Sequence, residues 1–398
     1  MPQESNVIPG LMAYEPLNIL FVSHDAHPMG AQNLLLTLTS WLKENGLVNP
    51  RFVLAGPGAL TDDFLRVGPV LHWDSDERRK STPDATVRLL RSFCGKDLSA
   101  VYLNSAASGH VIELTRHLGV PQIVHVHELE KSIQRWVGAD KMSALQDHAQ
   151  LFVAASAPVA DNLHERYGIS RLRLRVVDAF IRSTRIRNIS DSEKRACKSG
   201  LDLNPNAKVV LGCGTTDWRK GTDLFVQVAA AIHRTDPAVQ FVWVGGETEK
   251  GEIGKLKDLA DSRGVGSNVK FVGEVSTPLP FMIGSDVFLL SSREDPFPLV
   301  CLEAADCGVP IICFAGAGGM ADFVGSTCGA VAPYLDVPAM AQTLSSLLGD
   351  EMNARRLGDQ AKEKVRSQFD VSVKGHDIFQ ILQSVCAPNG SGFEADHV

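Results

Sequence analysis

Residues 291–315, SSREDPFPLVCLEAADCGVPIICFA, decide the architecture. An apolar run ends near Ser291, the chain turns through Asp295-Pro296-Phe297-Pro298, a helix is expected from Pro298 to Gly308, and an apolar, β-branched run follows from Val309 to Phe314. Proline at the first helical position and glycine just past the last are the usual punctuation of a helix. Strand, turn, helix and strand in so short a stretch make a βαβ unit, which belongs to a parallel sheet.

The same alternation extends outward in both directions. In the second half, strands are expected at Val209–Cys213, Val239–Val244, Val269–Val272 and Asp286–Ser291. In the first half they are expected at Asn18–Ser23, Phe52–Ala55, Val70–Trp73, Ala100–Leu103, Gln122–His127, Leu151–Ala155 and Leu172–Val177, with helices such as Asn33–Lys43 and Asp84–Phe93 between them. A polar stretch from Ser190 to Lys208 separates the two series and reads as a hinge. At 398 residues the chain is long enough for two domains. The expectation is therefore an α/β protein of GT-B type, with two doubly wound Rossmann-like domains facing across a cleft, residues 1–189 and 190–370. The helix at 371–385 is expected to pack back on the first domain, and 387–398 reads as a disordered tail. In such sheets ligands gather beyond the carboxyl ends of the strands.

Composition excludes several classes. Hydrophobic residues at 44% and charged residues at 21% are ordinary globular values. Charge is uneven: 20 Lys and Arg stand against 19 Asp and Glu up to residue 190, and 19 against 27 beyond it. Nothing in this balance suggests a nucleic-acid partner. Arg166, Arg171, Arg173, Arg175, Arg182, Arg185 and Arg187 surround the single acid Asp178, a patch suited to peripheral contact with an anionic membrane and equally to a solvated linker face. Eight cysteines include no CxxC pair, and Cys301, Cys307 and Cys313 read as small core residues. With no signal-like N-terminus and no apolar run of spanning length, the expected location is the cytoplasm, peripheral at the inner face of the membrane at most.

The chemistry concentrates at strand ends. Asp295 lies in the turn before a helix and Glu303 on the helix, with Phe297, Pro298 and Leu299 at its start. Free N–H groups at a helix start bind phosphate, and carboxylates accept hydrogen bonds from ribose and hexose hydroxyls. In GCGTTDWRKGTDL, residues 212–224, Arg219 and Lys220 precede a helix, where cations would neutralise a leaving diphosphate.

At these residues the sequence resembles glycosyltransferase family 4, a group of retaining GT-B enzymes. EDPFPLVCLEAADCGVPII is similar to the family's acidic-x7-Glu element, with Asp295 where the family usually has Glu. Lys220 matches the family's diphosphate lysine, Thr215 stands where the family has Arg, and Arg219 is a candidate replacement. Gly30 and Ala31, with Met29 before them, resemble the family's Gly-Gly-Ala loop and would let a backbone amide approach phosphate or sugar. His127, in the run HVHE, is similar to a family histidine near the transferred sugar, with His125 in the core. His24, His27 and Asn104 are candidates for the acceptor side. The resemblance implies a nucleotide-diphosphate sugar as co-substrate, no metal or other cofactor, and a glycan, lipid-linked or other acceptor, with catalysis by His127, Asp295 and Lys220. Three rivals remain: a GT-A enzyme using Asp74-Ser75-Asp76 for a metal, a nicotinamide oxidoreductase, for which GxGxxG is missing, and a non-catalytic nucleotide-sugar-binding subunit of the same fold.

Overall fold

In the first half of the chain, short apolar runs become strands buried on both faces, as parallel sheets require. The computed structural model describes residues 15–73, 82–184, 186 and 188–387. Asp74-Ser75-Asp76, Arg185, Arg187 and the tail beyond 387 lie outside the described residues. The chain divides into two units, one of Met1–Ala154, Asn162–Val177 and Val371–Val398, the other of Ala155–Asp161 and Asp178–Asp370.

The strands of unit 1 are β1 (Leu17–Ser23), β2 (Val48–Leu54), β3 (Val70–His72), β4 (Ala100–Asn104), β5 (Gln122–Val126), β6 (Leu151–Ala154) and β7 (Leu174–Val176). They pair in parallel in the order β3-β2-β1-β4-β5-β6-β7. Register places Asn104 between Ser23 on one side and His125 on the other, so three polar residues meet at the carboxyl edge where the strand order reverses. Phe21, Phe52, Phe64 and Tyr102 stack behind that edge, with ring centroids 5.1–5.9 Å apart. The helix Val371–Cys386 packs on the helix Gly30–Glu44. Gly375 makes the close approach possible, because a Cβ there would lie 2.7 Å from the Trp41 ring.

Unit 2 repeats the plan with β8 (Val209–Cys213), β9 (Gln240–Val244), β10 (Val269–Gly273), β11 (Val287–Leu290), β12 (Ile311–Phe314) and β13 (Gly329–Ala332), all parallel, in the order β10-β9-β8-β11-β12-β13. The strand β13, with the sequence GAVA, is not among the expected strands, since its small residues carry no β-branched run. Phe225, Phe241 and Trp243 form the aromatic part of the core. Cys213, Cys301, Cys307, Cys313 and Cys328 are buried in this unit, each as a free thiol, in keeping with the reading of Cys301, Cys307 and Cys313 as small core residues.

The stretch read as a hinge begins instead with a helix, Asp191–Gly200. The Ser190 hydroxyl and the Glu193 carboxylate form a reciprocal capping box, and Lys198, buried, donates to Asp286 and to the Ala207 carbonyl at 2.8 Å each. The chain joins unit 2 earlier than residue 190 because Asp306 holds the preceding segment, accepting from Thr184 N–H, the Ser183 and Thr184 hydroxyls, and Arg366 Nε at 2.7–2.8 Å. Within unit 1, part of the arginine run is also structural. Arg173 donates to the Gln146 and Ala149 carbonyls and lies over the Phe152 ring. Among the described residues no helix is long and apolar enough to cross a membrane.

Candidate functional site

In unit 2 the order reverses between β8 and β11, and the loops after these two neighbouring strands carry the charged residues. Gly212 has no side chain, so Trp243 packs against it, and the Trp243 indole N–H donates to Gly214 O at 3.0 Å. Gly214 has φ +141°, and a Cβ there would lie 3.0 Å from Lys220 Cε. Glycine thus leaves room for the lysine to run back over the strand end. Thr215 donates to Asp217 at 2.8 Å, and Asp217 in turn accepts from the N–H groups of Arg219 and Lys220. This cap closes a 3₁₀ turn, Trp218–Lys220, that presents both cations in front of the helix Thr222–His233.

Asp295, after β11, meets them. Lys220 Nζ lies 2.7 Å from Asp295 Oδ2, Arg219 Nη1 3.2 Å from Oδ1, and Ser292 Oγ 3.2 Å from Oδ2. Burial alone would raise the Asp295 pKa, but the charges of Lys220 and Arg219 outweigh it and hold the carboxyl below its ordinary value. Arg219 and Asp295 therefore form an ion triad with Lys220. Asp295, expected to meet sugar hydroxyls directly, is paired with these two cations in the structure, and its oxygens keep lone pairs for a further donor.

The following helix, Leu299–Asp306, starts with no side-chain cap, so the N–H groups of Leu299 and Val300 are open to a ligand, while that of Cys301 donates to Pro298 O at 3.1 Å. The Glu303 carboxylate on this helix makes no hydrogen bond or ion pair among the described residues, and burial raises its pKa. The Cys213 thiol, pushed up to about 12 by burial, feels the charges of both Lys220 and Glu303, which sets both near the same strand end. The 316–319 loop is stitched to the Asp295 turn: Asp295 N–H donates to Ala317 O at 2.7 Å and Gly319 N–H to Pro296 O at 2.9 Å. Gly318, at φ +149°, is required here, because a Cβ would lie 1.7 Å from Asp295 O. Pro298 is the residue preceding the helix, one position earlier than expected. Phe297, expected among the donor-binding residues, uses its ring in packing instead, stacked on Phe369 at 5.6 Å and edge-on to Phe323.

The polar cluster of unit 1 has an amide and imidazoles at its centre, with the carboxylates Asp25 and Glu128 beside them. Gly30 opens the helix Gly30–Glu44, exposed, with nothing within 4 Å of where a Cβ would stand. Asn104, expected on the acceptor side, is fully buried with both ends of its amide engaged: Nδ2 donates to Ala31 O at 3.0 Å, and Oδ1 lies 2.8 Å from His127 Nε2. His127 N–H donates to Glu128 Oε2 at 2.8 Å. Burial, with the charge of His24 adding to it, lowers the His127 pKa to about 3, so its ring is neutral at ordinary pH. His125 is buried behind it, with ring centroids 4.0 Å apart, and its Nδ1 meets Tyr102 Oη at 2.7 Å, which makes it a core residue. His24 lies between Gln32 Nε2 at 3.0 Å and Ser105 Oγ at 3.4 Å, while His27 is exposed.

Sequence reasoning missed a brace beside the cations. Arg293 binds Asp223 through two 2.7 Å hydrogen bonds, donates to Trp218 O at 3.0 Å and lies over the Trp218 ring, while Tyr334 Oη donates to Arg293 O at 3.0 Å. Arginine next to Glu294 and Asp295 reads as one more surface charge, and only the fold brings Asp223 to it. Among the described residues no group of three or more His, Cys, Asp and Glu side chains is placed to hold a metal ion.

Two parallel, doubly wound sheets with these sites at their carboxyl ends define a GT-B fold. Solved structures agree: HepE of Anabaena, crystallised with UDP and glucose, matches with a TM-score of 0.79 at 19% identity over 92% of this chain and 100% of that one. A sucrose-phosphate synthase from Thermosynechococcus elongatus matches with a TM-score of 0.76 at 19% identity, over 93% and 99%. Residues 193–364 match the family described as glycosyl transferases group 1. A D-inositol 3-phosphate glycosyltransferase of Nocardia farcinica is 30% identical over 234 residues, 57% of this chain and 50% of that protein. The chain spans about half the length of curated relatives such as this one.

Proposed function

We propose that this chain is a glycosyltransferase that moves a hexosyl group from a nucleoside-diphosphate sugar to an acceptor hydroxyl, with retention of configuration and with fixed protein charge in place of a metal. Its setting would be the synthesis of cell-surface polysaccharide or a glycoconjugate. One observation carries the reading: the Lys220–Asp295–Arg219 triad lies beside an uncapped helix start that also bears the unpaired Glu303.

In this reading the donor diphosphate displaces Asp295 from part of its hold on the two cations. As the bond from the anomeric carbon to the phosphate oxygen breaks, Lys220, Arg219 and the N–H groups at the start of Leu299–Asp306 stabilise the charge left on the diphosphate. The acceptor oxygen bonds to the anomeric carbon on the face the phosphate leaves, and its proton passes to a departing phosphate oxygen. Glu303 accepts hydrogen bonds from the ribose. Gly30 and Ala31 serve the phosphate or sugar, His127 the transferred sugar, and His24 and His27 the acceptor.

The relatives support the donor class, since the Anabaena protein was crystallised as a complex with UDP and glucose. The test is release of nucleoside diphosphate from a panel of nucleotide sugars, with and without a chelator and with candidate acceptors. Turnover that survives chelation and yields the α-linked product from an α-linked donor supports the proposal. Loss of turnover on chelation removes its metal-free part, and binding without turnover makes the chain a nucleotide-sugar-binding subunit. Peripheral membrane contact through residues 166–187 is tested separately by sedimentation with anionic vesicles.

A further inference from the structure

We propose that Asn104 is a positioning residue that fixes His127 in a single tautomer, protonated on Nε2, so that Nδ1 is a permanent hydrogen-bond acceptor for a sugar hydroxyl. The sugar part rests on the glycosyltransferase reading above; the tautomer does not.

The geometry constrains what each atom can do. A backbone carbonyl only accepts, so the side-chain group of Asn104 facing Ala31 O must be the NH₂, at 3.0 Å. The other end, Oδ1, has only lone pairs and faces His127 Nε2 at 2.8 Å. Nε2 must therefore carry the proton. Flipping the amide would set oxygen against oxygen at Ala31, a contact that gains nothing and leaves a buried carbonyl without its donor. Asn104 is fully buried and held on both sides by strand pairing, to Ser23 and to His125, so the amide has no room to find other partners.

The ring stays neutral because it is buried and feels the charge of His24, and among the described residues no carboxylate is bonded to it: Glu128 accepts from the His127 backbone N–H, not from the ring. Nδ1 has no partner among the described residues. A neutral imidazole with Nε2–H committed offers one lone pair, which suits a hydroxyl donor and rejects an anion. Asn104 also couples this choice to the first turn of the helix Gly30–Glu44 through Ala31, so the start of that helix and the histidine are set by one amide.

The test reads the tautomer directly. In histidine-¹⁵N-labelled full-length protein, long-range proton–nitrogen correlation spectra distinguish a protonated ring nitrogen from a bare one, and His127→Gln assigns the signal. The wild type should show Nε2–H alone at about pH 7, where an unperturbed imidazole is mostly neutral. Asn104→Ala should give a mixture of the two tautomers, because no side-chain acceptor then selects Nε2–H. A wild-type ring protonated on Nδ1, or an Asn104→Ala protein that still shows Nε2–H alone, overturns the proposal, and the wild-type spectrum decides even if the variant does not fold. In turnover, Asn104→Ala should lose about 10-fold, and His127→Ala should cost far less in that background than it does in the wild type, because the two residues share one role. Full additivity of the two losses overturns the positioning role. If the tautomers behave as stated while no nucleotide sugar is turned over, the assigned function fails and the tautomer assignment stands.

Discussion

The two units build the same strand-to-helix corners and fill them with opposite chemistry. At the corner of unit 2 the polar groups include formal charges, Lys220 and Arg219 on Asp295, beside the buried Glu303, which is unpaired among the described residues. At the corner of unit 1 the buried groups are the Asn104 amide and the His125 and His127 imidazoles, which burial keeps uncharged, while the carboxylates Asp25 and Glu128 lie around them and accept from backbone N–H groups. A doubly wound sheet supplies open N–H groups and a crevice, and the side chains then decide whether that crevice receives an anion or a hydroxyl. The difference teaches that the location of a site comes from topology and its ligand class from a handful of residues.

The largest break in this contrast is Lys220→Ala. It should lower turnover about 100- to 1,000-fold in a nucleoside-diphosphate release assay while leaving the melting profile of unit 1 unchanged. Wild-type turnover would take the charged corner out of the chemistry. Asp295→Asn leaves two cations facing a neutral amide, and breaking such a buried pair should destabilise unit 2 by about 3 kcal/mol in urea titration. The same variant should bind nucleoside diphosphate more tightly by calorimetry yet turn over more slowly. Weaker binding would mean that Asp295 does not occupy the place of the phosphate.

Glu303→Gln sharpens the comparison through pH. Burial raises the Glu303 pKa, so the folded state favours the neutral acid, and the wild type should lose stability as pH rises through that raised pKa. The glutamine variant should lack this loss and melt no lower than the wild type at about pH 8, while turnover falls about 10-fold because an ionised acceptor for the ribose is gone. For wild-type turnover the sign reverses: it should fall on acidification, at a pH above that of an ordinary glutamate. In unit 1 the histidines are depressed, so their stabilising contribution is present above the unfolded histidine pKa, about 6.5, and is lost as pH falls toward about 3. Unit 1 should therefore unfold at lower urea at about pH 4.5 than at about pH 7, with a shallower slope in His127→Asn. The smallest effect belongs to Ser190→Ala, which removes the capping box at about 1 kcal/mol and should leave turnover untouched.

Strand placement and the charged site are readable from local patterns. The helix start after Pro298, the eight-residue spacing from Asp295 to Glu303 and the position of Lys220 after a strand depend on neighbours in sequence. What escapes depends on distant partners. Asp295 reads as a sugar ligand, and nothing local reveals that Lys220 and Arg219, some 75 residues earlier, are paired with it. Asn104 reads as an acceptor-side candidate at a strand end, and nothing local reveals that its partners are Ala31 and His127. Phe297 reads as a donor ligand from its motif, and Phe369 takes it for the core. Ser190–Lys208 reads as a hinge because capping residues and turn residues are the same amino acids, and only the reciprocal Ser190–Glu193 bonds tell a helix start from a loop.

The free thiols give this molecule a built-in clock. Cys213, Cys301, Cys307, Cys313 and Cys328 are all enclosed in unit 2, whereas unit 1 holds Cys94 and Cys386. A disulfide reagent such as dithionitrobenzoate reacts only with thiolates that reach solvent, so once the buried Cys94 of unit 1 is removed as Cys94→Ser its slow phase counts openings of unit 2. A nucleotide ligand that closes the charged corner would be seen as a longer lag before those five sulfurs turn the solution yellow.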